Sequence, residues 1–164
     1  MTPSWREEIE ALLLKEAEFI DSRQWQEWLD LMSPEIEFWV PAWEQDEPTS
    51  DPDSELSLIY YSSRQGLEDR IFRIRSGRSV VSALLPRTCH YITNIQYQFD
   101  EDGRRCTVKA NWQVNCWRDA ATTTFWGRYE YVLGRAPTGR WWIEKKKVLV
   151  LNDVIPVVLD VYLL

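Results

Sequence analysis

Val108-Lys109-Ala110-Asn111-Trp112-Gln113-Val114-Asn115-Cys116 alternates without a break between apolar and polar side chains. Successive side chains of a strand point to opposite faces. Val108, Ala110, Trp112, Val114 and Cys116 therefore share one face, and Lys109, Asn111, Gln113 and Asn115 share the other. This is a strand half-buried on a core. The same period of two continues in both directions. Upstream, from about residue 87, Tyr91, Thr93, Ile95, Tyr97 and Phe99 alternate with Asn94, Gln96 and Gln98, and Asp102-Gly103 marks a tight turn. Downstream, a turn near Arg118-Asp119 leads into Thr122 to Leu133, and Pro137-Thr138-Gly139 turns the chain into Trp141 to Leu151. Four strands in a row predict an antiparallel meander.

Toward the N-terminus the period lengthens. Ser4 and Glu7 have the spacing of a capping box, and Ile9, Leu12, Leu13, Ala17 and Ile20 then form one helical stripe. Asp21 or Ser22 starts a second, shorter helix that buries Trp25, Trp28, Leu29 and Met32, and Pro34 stops it. Ile36 to Val40 reads as a short strand ended by Pro41. Residues 44–55 are polar, carry two prolines and read as a solvated acidic loop, without the ligand spacing of a calcium loop. Leu56 to Tyr61 is a strand. Ser62 or Ser63 caps a third helix, with Leu67, Ile71 and Ile74 inward, Arg64, Arg73 and Arg75 outward, and Gly77 as its C-cap. Helices first and a meander after them is the α+β order. Three helical segments over a curved, mostly antiparallel sheet predict a cone of the cystatin-like or NTF2-like kind, formed by residues 1–164 as a single domain. That architecture hosts isomerases, dehydratases, binding proteins and structural subunits, so it settles no function.

The totals exclude several classes. The chain has 164 residues, 45% of them hydrophobic and 27% charged, as a folded globular chain does. No apolar run approaches the roughly 20 residues that span a bilayer, and the polar start, Thr2 to Glu8, shows no secretory signal. Three cysteines without Cys-x-x-Cys spacing argue against a disulfide framework and for a reducing cytoplasm. Residues 1–60 hold 16 acidic and 3 basic side chains, net −13, whereas residues 61–164 hold 10 acidic and 16 basic, net +6. An acidic chain of this kind is a poor nucleic-acid binder. The asymmetry is read first as charge offset within one domain, and second as opposite-sign faces used in assembly. Ten tryptophans are far above ordinary usage and suit a chain with a large core and broad contact surfaces.

Several segments, in order, resemble the β subunits of the benzoate, toluate and anthranilate type of aromatic-ring-hydroxylating dioxygenase. They are Lys15-Glu16-Ala17-Glu18 followed by Asp21 to Leu29, then Phe38-Trp39-Val40-Pro41-Ala42-Trp43, Glu55 to Tyr61, and Arg64 to Ile74. Pro86-Arg87-Thr88-Cys89-His90 with Asn94, and the run Lys146 to Asp153, complete the set. The run from Leu58 to Ile74 is the most specific, and the acidic loop and residues 117–140 depart most. The resemblance implies a small structural subunit paired with a separate α (large) subunit, usually as α3β3. In such an assembly the α subunit carries a [2Fe–2S] Rieske cluster and a mononuclear Fe(II). The assembly cis-dihydroxylates an aromatic ring with electrons relayed from NADH by a reductase, with or without a ferredoxin. The ligand count agrees with that division. A Rieske centre needs two Cys and two His, and a mononuclear iron site uses two His and a carboxylate, but this chain has one histidine, His90. No catalytic, cofactor-binding or metal-binding residue is therefore assigned to it.

The residues singled out are interface candidates: Arg64, Asp69, Arg70, Arg73, His90, Lys147, Tyr162 and Leu164. Glu68 and Asp69 are spaced to pair with Arg73, the latter at the i,i+4 interval of a helix face. Arginine forks on that helix would alternatively take a partner's carboxylates. In the strand ending, Lys145 and Lys147 share one face, and Glu144 and Lys146 share the other, on what reads as a solvated edge. The apolar end, Val157 to Leu164, predicts burial, at least partly between subunits. His90 beside Asp69 or Asp21 would be the acid–base pair of a stand-alone cone enzyme, an isomerase or dehydratase. A non-catalytic binding or scaffold protein is the third reading.

Overall fold

The computed structural model describes residues 4–44, 46–76 and 85–164. Helix α1 (Trp5–Asp21) opens on the expected capping box: the Glu7 amide donates to Ser4 Oγ at 3.3 Å and the Ser4 amide to Glu7 Oε2 at 2.6 Å. Helix α1 runs through Asp21, with Ser22 as its C-cap, so neither residue starts the next helix. The chain reverses at Arg23, which adopts a positive φ of 57°, before α2 (Trp25–Leu29). Strand β1 (Met32–Pro41) begins two residues before Pro34. That proline therefore lies inside the strand, where the pairing of β1 with β8 is irregular and no ladder amide is needed. A two-strand ribbon, β2 (Trp43–Glu44) with β3 (Glu47–Pro48), precedes β4 (Ser57–Tyr61) and α3 (Arg64–Arg75). Ser63 stands at the N-cap of α3, and the Gly77 C-cap lies outside the described residues.

The meander follows as β5 (Arg87–Phe99), β6 (Arg105–Arg118), β7 (Ala121–Arg135) and β8 (Trp141–Val150). The six long strands order as β4-β1-β8-β7-β6-β5, antiparallel except for the parallel β1/β8 pair. The β6–β7 turn places Asp119 and Ala120 at φ 53° and 60°, the left-handed pair of a two-residue hairpin. One alternation does not run straight through. The β5/β6 register shifts between Thr93 and Gln96, and Asn94 takes φ 53°. This bulge reverses the phase of β5. His90 and Ile92 face the core before it and Ile95, Tyr97 and Phe99 after it, while Tyr91 and Thr93 face outward.

Helices α1, α2 and α3 lie on one face of the sheet, and the core cluster fills the space between. Ile9, Leu13 and Ile20 of α1 and Leu67, Ile71 and Ile74 of α3 meet Val108, Val114, Phe125 and Val148 of the sheet. Trp112 stacks on Tyr129 at 5.3 Å between ring centroids. At the centre lies an ion pair. Lys146 Nζ donates to Glu16 Oε1 at 2.8 Å, with the two side chains 1% and 2% exposed. Lys146 is therefore an interior residue and not part of a solvated edge. Its ammonium lies 4.3 Å from the Tyr129 ring centroid, and Tyr131 Oη donates to the other Glu16 oxygen at 2.8 Å. Burial first, and then the Glu16 charge, push both tyrosine hydroxyls well above their usual pKa.

After β8 an irregular strap leads to Asp160 and a single 3-10 turn, Val161–Leu163. Asp160 is 2% exposed and takes both Arg70 Nε, at 2.8 Å, and Arg70 Nη2. Residues 161–164 join the same core. Among the described residues no helix is long and apolar enough to cross a membrane.

Candidate subunit interface

Among the described residues no helix or strand covers the face of the sheet opposite the helices. Alternation puts every second residue of β5, β6 and β7 on it, and the register sorts those residues into rows. Tyr91, Gln113 and Trp126 form one row, and Thr93, Asn111, Arg128 and Leu149 form the next. Gln96, Lys109, Glu130, Lys147, Trp39 and Tyr60 form a third, crossing all six strands. Lys147 Nζ lies 4.6 Å from the Trp39 ring centroid, and the Arg87 guanidinium lies 4.1 Å over the Trp117 ring.

Tyr91, Trp117, Trp126, Leu56 and Leu58 are exposed. Monomeric proteins rarely leave so broad a face bearing large aromatics uncovered, and Tyr, Trp and Arg are the residues enriched where subunits meet. Between β5 and β7 the face dips into a depression of about 520 Å³, walled by Tyr91, Asn111, Gln113, Trp126 and Arg128. Neutral amides floor it in place of the lysines and glutamates of an ordinary solvated sheet. Asn111, Gln113 and Asn115 were visible as one polar face in the opening stretch. Their shortage of charge was the available signal for this surface, whereas the Arg- and His-bearing motifs drew attention elsewhere.

The acidic loop at the β1–β4 end is solvent-exposed, as expected, and is also held in shape by its own hydrogen bonds. Glu55 Oε2 accepts the amides of Ser50 at 2.6 Å and Asp51 at 2.7 Å, and Asp51 accepts the Ser54 hydroxyl at 2.6 Å and the Asp53 amide at 3.0 Å. These bonds hold both carboxyls below the usual range, led by the Asp51 amide for Glu55 and by the Ser54 hydroxyl for Asp51. Thr49 ties the loop base by donating its hydroxyl to Leu56 O at 2.9 Å. Leu56 itself stands 80% exposed.

The residues singled out from the sequence lie in different places. On α3, Arg64 pairs with Asp30 and Glu68, both at 2.8 Å, and Asp69 accepts from Gln65 Nε2 at 3.0 Å. The expected Asp69–Arg73 pair is absent among the described residues: Gln65, one turn back, occupies Asp69, and Arg73 is exposed. Arg70 is committed to Asp160. Tyr162 and Leu164 are packed within the chain's own core, so the burial predicted for the apolar end is internal for residues 161–164. The exposed part of that end is Val154, Val157 and Val158. Lys147 alone of the eight stands on the outer sheet face.

His90 faces inward and binds Asp21, not Asp69. Its Nδ1 lies 2.6 Å from Asp21 Oδ1, its amide donates to Oδ2 at 2.9 Å, and Thr88 Oγ1 donates to Oδ1 at 2.8 Å. Burial disfavours the Asp21 anion, but the His90 ring and amide, the His90 charge and the Thr88 hydroxyl outweigh it and lower the pKa. The His90 side chain is 2% exposed, and its Nε2 has no hydrogen-bond partner among the described residues. The arrangement clamps the end of α1 onto β5. A carboxyl whose folded pKa lies below the ordinary aspartate value of 3.8 contributes stability that is full above that value and fades as the pH falls through the lower one. Asp21→Asn is therefore expected to flatten the acid limb of the stability curve, measured by urea unfolding between about pH 5 and pH 2. A mutant curve parallel to the wild-type one would remove Asp21 from the acid response.

Among the described residues no group of three or more His, Cys, Asp or Glu is arranged to hold a metal ion. The sole histidine is already committed to Asp21, so the residues present do not fit either iron centre.

Comparison with known proteins shows the family and the fold. Residues 15–157 match the family model described as the ring hydroxylating beta subunit. The chain is 42% identical over 162 residues to the benzoate 1,2-dioxygenase subunit beta of Acinetobacter baylyi, covering 95% of this chain and 92% of that one. Its fold superposes on the crystal structure of the beta subunit of the benzoate 1,2-dioxygenase of Burkholderia mallei with a TM-score of 0.79 and 32% identity, over 100% of this chain and 99% of that one. An NTF2-like protein with a cystatin-like fold from Novosphingobium aromaticivorans matches at a TM-score of 0.65 and 15% identity, over 93% and 85% of the two chains, which speaks to the fold alone.

Proposed function

The chain belongs to the ring-hydroxylating β-subunit family, and from that premise we propose that it serves its oxygenase as a structural piece whose outer sheet face is an assembly surface. It is the small subunit of an aromatic-ring-hydroxylating dioxygenase. Its partner in this reading is a large subunit that holds a Rieske [2Fe–2S] cluster and a mononuclear Fe(II). Electrons reach that subunit from NADH through a reductase, and three large and three small subunits associate in the cytoplasm. The ring acted on is an aromatic carboxylate, by likeness to the benzoate enzymes. Residues 1–164 act as one domain.

The observation that carries the reading is the outer face, which no described helix or strand covers, with Tyr91, Trp117, Trp126 and Arg128 on the sheet. The division of chemistry rests on the ligand count, since one histidine cannot furnish either iron centre.

Co-expression with the large-subunit reading frame beside its gene tests the proposal. The expected result is a colourless small subunit when purified alone, and co-purification with a larger red-brown partner when both are present. Elution of the small subunit by itself from the mixed expression would defeat it.

A further inference from the structure

A cleft of about 720 Å³ opens at the end of the sheet where α1 begins. It is built from three remote stretches of chain: α1, Leu31 just before β1, and the β7–β8 hairpin. Glu8, Ala11, Leu12 and Lys15 recur at helical spacing and so line it from one side of α1. Leu12, Leu31 and the Trp141 indole form its apolar wall. A small-molecule site has this size and this make-up, mostly apolar with a few fixed polar groups.

The charged groups divide by whether they are already engaged. Arg135 is engaged on every side. Its Nη2 meets Glu8 Oε2 at 3.1 Å, its Nη1 donates to Gly139 O, and its guanidinium lies 4.4 Å from the Trp141 ring centroid. Glu8 is thereby neutralised, and Glu7 accepts the Ser4 amide in the α1 cap. Arg140 differs. Its Nη2 donates to Asp30 O at 2.8 Å, which ties the hairpin to the turn before β1 and leaves the rest of the fork open. The Asp30 carboxylate feels the Arg140 charge but is bonded to Arg64 and Gln26. Among the described residues neither Arg140 nor Lys15 enters an ion pair. Two cations therefore stand against one remaining anion, Glu7.

An excess of one positive charge beside an apolar wall selects a ligand with one negative charge and a flat apolar body. A carboxylate meets the Arg140 fork in plane and Lys15 as a point charge, while a ring lies against the indole and the two leucines. A dianion would bring its second charge up to Glu7. We propose that this cleft binds a monoanionic aromatic carboxylate, the carboxylate on Arg140 and Lys15 and the ring on Trp141, Leu12 and Leu31. The site is distinct from the outer sheet face, so the proposal goes beyond the assembly role and stands or falls without it.

Calorimetric titration of the purified full chain with naphthoate tests this, the neutral naphthamide serving as its uncharged counterpart. The expected result is one saturable naphthoate site, a melting temperature that rises with naphthoate concentration, and an amide bound about 10-fold more weakly or worse. Lys15→Gln/Arg140→Gln is expected to weaken naphthoate by about 10-fold or more with an unchanged circular dichroism spectrum. Ala11→Trp fills the cleft from an exposed helix position without touching either cation, and is expected to abolish binding. A wild-type chain that shows no saturable binding by either readout overturns the proposal. So does an amide bound as tightly as the acid, or full affinity in either variant. If the wild-type chain ignores naphthoate and Ala11→Trp no longer co-purifies with the large subunit, a segment of that subunit fills the cleft instead.

Discussion

A Lys146→Met chain is expected to lose about 3–5 kcal/mol of folding stability, although the substitution adds apolar character to an apolar interior. The reason is the partner left behind. Glu16 lies within the core on α1, and its carboxylate is met by the Lys146 ammonium on one oxygen and by the Tyr131 hydroxyl on the other, both at 2.8 Å. Without Lys146 an anion remains in the interior with one hydrogen bond and no counter-charge. Glu16→Met alone strands the ammonium among the rings of Phe38, Tyr129 and Tyr131, whose faces recompense it only in part. Glu16→Met/Lys146→Met removes both charges and is expected to recover most of the loss, because a buried pair exchanged for packed apolar side chains is often neutral. The Tyr131 hydroxyl then lacks its acceptor at a cost of about 1–3 kcal/mol, which Tyr131→Phe in the same chain should relieve. Urea unfolding of the singles, the double and the triple checks the series. A single Lys146→Met loss under about 1 kcal/mol would mean that water reaches the pair.

How far this was legible varies along the chain, for reasons that particular residues make plain. The alternation around Trp112 predicted both faces of β6 correctly, because apolar and polar residues separate there without ambiguity. In Lys145-Lys146-Lys147 the alternation separated Lys146 from its neighbours but could not say which face was interior. Both faces carry charge, and the answer depends on Glu16, 130 residues away in sequence. The bulge at Asn94 was hidden for a different reason. Five residues at strict spacing from Tyr91 to Phe99, four of them apolar or aromatic, look continuous, yet one extra residue turns Tyr91 outward and His90 inward. The helix-forming segments showed by their stripes, whereas Asp21 misled because aspartate is a common N-cap. Its carboxylate is used at the end of α1 to grip Thr88 and His90 instead. The candidate interface was the least legible part. An outer face is defined by what does not cover it, and the uncharged amides Asn111, Gln113 and Asn115 are its one local sign.

Asp160→Ala is expected to release the end of the chain and to cost about 3–5 kcal/mol. Asp160 does two things at once. It takes two hydrogen bonds from the Arg70 guanidinium, whose pKa it raises, and its Oδ1 also accepts the Val161 amide at 2.9 Å, capping the last turn. Alanine leaves Arg70 without its anion and the turn without its cap. The four residues that follow, Val161, Tyr162, Leu163 and Leu164, are then held by apolar burial alone. Protease cleavage within residues 151–160 should accelerate in step with the lost stability, since cutting proceeds from the opened state. Asp160→Asn keeps an acceptor for Val161 and for one guanidinium nitrogen, so its loss should fall between alanine and wild type. The comparison also separates two roles for the apolar end. If residues 161–164 act only as core, assembly with the large subunit should weaken only as far as folding does, and binding by the folded fraction should be unchanged. If Asp160→Ala abolishes assembly in a chain whose unfolding midpoint has not moved, the end of the chain touches the partner directly, and its burial against α3 is a resting position that assembly displaces.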